Sequence, residues 1–126
     1  MKAAITVLLL LVGVIHLLPV SGVLGAERLA ALYGISVAEP NLEVLMRHRA
    51  VLFALLGAYL VYAAFTPSAQ VVAIIAGFVS VVSFLWLAQA APAVNELLTR
   101  VVIADAVALA CLVVAAVLLV RVRLLA

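Results

Sequence analysis

Cysteine is nearly absent: Cys111 stands alone, which excludes an internal disulfide and any paired-cysteine redox or zinc centre. Charge is almost as scarce. Lys, Arg, Asp and Glu together make up 10% of the chain, and seven basic against five acidic side chains leave a net charge of +2. That excess is too small and too scattered for a nucleic-acid surface. No glycine-rich phosphate loop, HExxH zinc motif or GxSxG nucleophile elbow is present, so nothing specific in the sequence argues for catalysis. A non-enzymatic role is the expectation.

What remains is close to hydrocarbon. Hydrophobic residues make up 71% of the 126, and mean hydropathy is +1.53. A soluble globule of this length exposes much of its surface to water and has no use for so high an apolar fraction. The class is therefore all-α and integral to a membrane, because about 20 apolar residues at 1.5 Å each cross a hydrocarbon layer of roughly 30 Å.

Four spans are expected, at about 3–24, 41–65, 69–91 and 95–120, forming a four-helix bundle in a single transmembrane domain over 1–126. Pro19 and the Ser21-Gly22 pair weaken the last turn of the first span. Pro40-Asn41 starts the second span, Thr66-Pro67-Ser68 ends it, and Pro92 ends the third. Lys2 followed by an apolar run resembles a signal peptide, but the run exceeds a typical signal core, so a retained signal-anchor helix is expected. Between the first two spans, 26–33 reads as a short amphipathic helix stopped by Gly34. Its Leu29, Leu32 and Tyr33 would rest on the membrane interface while Glu27 and Arg28 stay wet. Cys111, in an alanine-rich run, reads as a small buried hydrophobe.

Lys2, Arg121 and Arg123 fall on the side of the uncharged second connection, and every Glu falls on the other. The positive-inside rule then favours cytoplasmic termini. Antiparallel threading gathers His16, Arg47, His48, Arg49 and Asp105 into one leaflet. Ionisable groups at such depth are costly and usually face a bundle interior.

Successive helical residues turn by about 100°, so Arg47 and Arg49 cannot both face inward. Arg47 shares a face with Ala50, Ala54 and Ala58, a stripe suited to close packing, and is expected inside. Arg49 lies with Phe53, Leu56 and Leu60 and is expected to snorkel from a lipid-facing surface. Asp105 interrupts an apolar span, with Arg47 and His16 as its candidate cations. His16, Arg47, His48 and Asp105 are thus the candidate ligand-binding or structural polar core. Glu43–Arg47 and Glu96–Arg100, each with Glu four residues before Arg, read as interfacial ion pairs.

The Pro19-Val20-Ser21-Gly22 end of the first span, the segment Leu29-Ala30-Ala31-Leu32-Tyr33-Gly34-Ile35, Asn41, and the run Arg49-Ala50-Val51-Leu52-Phe53-Ala54-Leu55-Leu56-Gly57 resemble the DoxX-like superfamily of small four-helix bacterial membrane proteins. That resemblance covers the first two spans and implies a bacterial inner membrane and accessory roles near redox enzymes or in membrane-protein assembly, with no catalytic residue to transfer. The Arg47-His48-Arg49-Ala50 run also resembles a subgroup in which some members carry a phosphopantetheine adenylyltransferase name. This chain has neither the HxGH motif nor the strands that such an activity needs. Small multidrug transporters are similar in length and helix number, but their pattern places an essential Glu in the first helix, where this chain has His16.

The leading expectation is a membrane protein with a polar intramembrane pocket for a lipid-like or quinone-like ligand, or an accessory subunit of a larger complex. Two alternatives stand beside it: a proton-coupled transporter using Asp105 or His16, and haem ligation by His16 and His48. No metal site and no nucleic-acid partner are expected. Membrane lipids are the natural surroundings, and small-residue faces leave a homodimer open.

Overall fold

The computed structural model describes residues 1–125, and the elements follow the expected order. Helix α1 (Lys2–Leu17) runs into a 3-10 segment (Leu18–Leu24), the short α2 spans Ala26–Tyr33, and α3 (Pro40–Phe65) follows. A 3-10 turn (Pro67–Ala69) leads into α4 (Gln70–Ala90), and α5 (Glu96–Leu124) completes the chain. Lys2–Leu24, Pro40–Phe65, Pro67–Ala90 and Glu96–Leu124 are each long and apolar enough to cross a membrane.

Local chemistry sets these boundaries. Pro19 lacks a backbone donor and fixes φ, and the α1 helix tightens into 3-10 geometry where it enters. Glu39 caps α3: its carboxylate accepts from the Asn41 amide at 3.0 Å and the Leu42 amide at 2.8 Å. Those two backbone donors, Asn41 first, hold the Glu39 carboxyl below the usual carboxylate range. Since its folded pKa is depressed, this cap is at full strength above the unfolded value of about 4.3 and is lost as pH falls through the folded value. The Asn41 and Leu42 amide resonances should therefore titrate together, with a midpoint below the ordinary carboxylate value, and stay still in Glu39→Gln. A shared midpoint at or above the ordinary carboxylate value would contradict the cap.

Each long helix packs on two neighbours, giving the ring α1–α3–α4–α5 with α1 and α4 on one diagonal. The centre holds Leu9, Val12, Leu60, Ala63, Ala73, Val81, Ala108, Leu112 and Ala115, all fully buried. Lipid tails are as apolar as these side chains, so association rests on close van der Waals packing, which small residues permit. The tightest approach joins α1 to α3. A Cβ on Gly57 would stand 2.7 Å from Leu17 Cγ and 3.0 Å from the Gly13 carbonyl, and one on Gly13 would stand 3.1 Å from the Gly57 carbonyl. Outward, the bundle shows Val7, Leu55, Phe65, Val79 and Trp86, a surface suited to hydrocarbon.

Helix α2 forms where the pattern predicts it and ends at Gly34, whose φ of 65° suits glycine. Its apolar side does not lie on the membrane interface. Leu29 (1% exposed) and Tyr33 (5%) are buried in the mouth of the bundle with Val37, against Met46, Leu98 and Val101. The reason is local: the ring leaves an opening at this end, and docking there buries these side chains better than an interface would. Asn95 secures the join. Its side-chain oxygen caps α5 by accepting from the Leu98 amide at 2.8 Å, while its Nδ2 donates to the Tyr33 carbonyl at 2.8 Å.

Candidate functional site

Beneath α2 lies a cavity of about 210 Å³ whose walls include His16, Tyr33, Arg49, Phe53, Val101 and Asp105. Helix α1 supplies His16, α3 supplies Arg49 and Phe53, α5 supplies Asp105 and α2 supplies Tyr33. Arg100 stands on the same wall, bonded to Glu96 at 2.8 Å in an exposed pair.

Asp105 is the group that a folded bundle alone does not explain. It is 8% exposed, yet among the described residues its carboxylate has neither a hydrogen-bond donor nor an ion-pair partner. None of its oxygens is sealed off, so the carboxylate opens into the cavity. A carboxylate so placed keeps its acceptor capacity for whatever enters.

Arg49 faces it across the same cavity. One Nη donates to the Tyr33 hydroxyl at 2.7 Å, and the guanidinium carbon stands 4.5 Å from the Phe53 ring centroid and 5.3 Å from that of Tyr33. Stacking of this kind stabilises a cation in an apolar setting and fixes its plane. Arg49 also borders a second, largely apolar cavity of about 340 Å³ lined by Met46, Phe84, Leu87 and Leu98.

His16 is 1% exposed and committed on both sides. Its Nδ1 lies 2.9 Å from the Val12 carbonyl, which can only accept, so the proton sits on Nδ1 and Nε2 accepts from the Ser80 hydroxyl at 3.3 Å. That second bond crosses the α1–α4 diagonal and fixes the ring at the cavity floor. Below it, fully buried Leu9, Leu60 and Leu112 belong to the apolar centre that separates this cavity from one at the opposite end.

The structure reverses the expectation for the two arginines. Arg47 is not an interior residue: its side chain is half exposed, its Nε donates to the Val23 carbonyl at 2.9 Å, and it lies 3.5 Å from Glu43. Arg49 turns inward with Phe53 and Leu60, the face assigned above to lipid. The cause is Gly57. Helices approach most closely where both backbones are bare, and the face centred on Gly57 carries Arg49, Ala50, Phe53, Leu60 and Ala64, while Ala58 faces out. His48 also points outward, is exposed and does not line the cavity, so it is not part of the polar core and His16 and His48 do not make a joint haem site.

Tyr33 and Phe53, read from the sequence as interface and lipid-facing residues, line the cavity, while Ser80 and Asn95, which the sequence did not mark, hold His16 and α2 in place. Among the described residues no group of three His, Cys, Asp or Glu side chains is placed to hold a metal ion. Comparison of the chain with protein-family models, with curated proteins and with solved structures finds no match.

Proposed function

We propose that this protein is a non-enzymatic membrane binder of a small amphiphile, lipid-like or quinone-like, whose polar head enters the cavity beneath α2. The observation that carries this reading is Asp105, nine-tenths buried, unpaired and open to a cavity that also presents the fixed guanidinium of Arg49. Together they offer an acceptor and a fork of donors within apolar walls, the usual composition of a small-molecule site. A volume of about 210 Å³ is below the roughly 300–1,000 Å³ of pockets that enclose whole drug-sized ligands. A headgroup fits that space, and the neighbouring apolar cavity that shares Arg49 gives its chain a way toward lipid.

The DoxX-like kinship belongs to the same proposal. It is supported by the way its residues cluster: Leu32, Tyr33, Arg49 and Phe53 line the cavity, and Gly57 makes the closest helix contact. So does the placement in a bacterial inner membrane with cytoplasmic termini, which puts the cavity in the outer leaflet.

A photoactivatable quinone with a short isoprenoid chain and a photoactivatable fatty acid, each reconstituted with the protein in liposomes, test the proposal. Crosslinks from one of them should map by peptide mass spectrometry to Phe53, Val101 and Leu98. Labelling by both that is spread over lipid-facing Leu55, Val79 and Trp86, with none in the cavity, would reject it.

A further inference from the structure

At the opposite end of the bundle the structure holds a second polar site, independent of the Asp105 cavity. A cavity of about 430 Å³ opens where α1 begins, α3 ends, α4 begins and α5 ends. Two of its walls carry cations, Lys2 and Arg123, and between them sits Gln70. Gln70 is 7% exposed, and its amide has no hydrogen-bond partner among the described residues while remaining open to the cavity. The rest of the wall is apolar, with Ile5, Phe65 and Leu119.

Unlike the α2 end, this end of the molecule carries no Asp or Glu: Glu27, Glu39, Glu43, Glu96 and Asp105 all belong to the other half. The cations here therefore have no carboxylate side chain to answer them, and the buried amide has donors to spare. Both sit where the long helices end, which is the level of lipid headgroups. An occupant must be anionic, rich in acceptor oxygens and attached to something apolar.

We propose that this cavity is a binding site for the headgroup of an anionic phospholipid. The phosphodiester lies between Lys2 and Arg123 and accepts from the Gln70 amide, and the acyl chains run along the apolar wall toward Phe65 and Leu119. Basic clefts between membrane helices at a cytoplasmic surface recognise such headgroups by the same combination of charge and shape. Arg121 is an internal control, since it lies two residues from Arg123 but does not line the cavity.

Native mass spectrometry of the detergent-purified chain, titrated with phosphatidylglycerol, phosphatidylcholine or inorganic phosphate, reads the site directly. Phosphatidylglycerol should bind as one tight adduct and phosphatidylcholine at least tenfold more weakly, as expected for roughly two surface cations. Replacing both Lys2 and Arg123 by Ala should weaken the phosphatidylglycerol adduct by about thirtyfold, and Arg121→Ala by less than threefold. Gln70→Glu, which keeps the volume and reverses the chemistry, should abolish it; if that variant misfolds, Gln70→Leu should lower affinity with the fold intact. Equal loss in Arg121→Ala would mean diffuse surface attraction and overturn the site, as would equal binding of phosphatidylcholine. Displacement of the lipid by millimolar inorganic phosphate would overturn the lipid assignment in favour of free phosphate.

Discussion

Arg49→Leu is expected to weaken retention of the proposed amphiphile by about thirtyfold or more, while Arg47→Leu, two residues away, leaves its retention within about twofold. The difference follows from position. Truncating one side of a buried, hydrogen-bonded charged contact costs about 2–5 kcal/mol, and 2 kcal/mol is already about thirtyfold in affinity. Arg49 has such a setting, bonded to Tyr33 and stacked on Phe53. Arg47 is half exposed and holds the Val23 carbonyl and Glu43, a surface arrangement worth about 0–1 kcal/mol. Arg49→Lys should recover little, because a lysine has neither the planar fork nor the stacking surface. Ligand retained per protein in the three variants, quantified by mass spectrometry after purification, checks this. Equal retention in Arg49→Leu and wild type would remove Arg49 from the site.

The second large effect is structural. Gly57→Val should destabilise the bundle by more than the roughly 1–3 kcal/mol typical of overpacking, since even one Cβ there meets the backbone of the facing helix. Leu17 can turn aside, but the Gly13 carbonyl at 3.0 Å moves only if α1 and α3 separate. Separation would also shift His16 and Arg49, which belong to those two helices. Gly77→Ala is the contrast: its nearest neighbours are the side-chain ends of Leu112 at 3.1 and 3.2 Å, which can adjust. Equilibrium unfolding in mixed micelles, followed by circular dichroism, should rank wild type above Gly77→Ala and both well above Gly57→Val. A Gly57→Val variant as stable as wild type would mean the helices do not meet there.

Hydropathy and punctuation made most of the architecture legible. Pro40 with Glu39, Thr66-Pro67, Pro92 and Gly34 mark the element ends because each acts locally, through a missing donor, a cap or a positive φ. Rotation of a helix about its own axis is harder to read. In α3 apolar residues lie on every side, so the hydrophobic pattern gives no preferred face, and the alanine stripe at Ala50, Ala54 and Ala58 is a weaker guide than the single Gly57. Weighting that glycine would have turned Arg49 inward. Tyr33 was harder still. Whether an amphipathic turn lies on lipid or fills a bundle mouth depends on an opening formed by four other segments. Asp105 stood out in the sequence because an ionisable group within an apolar span has few neutral explanations, and the structure leaves its carboxylate unbonded, on a cavity it shares with Arg49.

The most direct measurement is native mass spectrometry of the protein released from its own membrane in mild detergent, compared with Asp105→Asn. Wild type should carry one small amphiphile per chain and Asp105→Asn should lose it, with both proteins showing the same helical circular dichroism. A wild-type chain that carries no such molecule, or an Asp105→Asn chain that keeps it undiminished, would contradict the central claim.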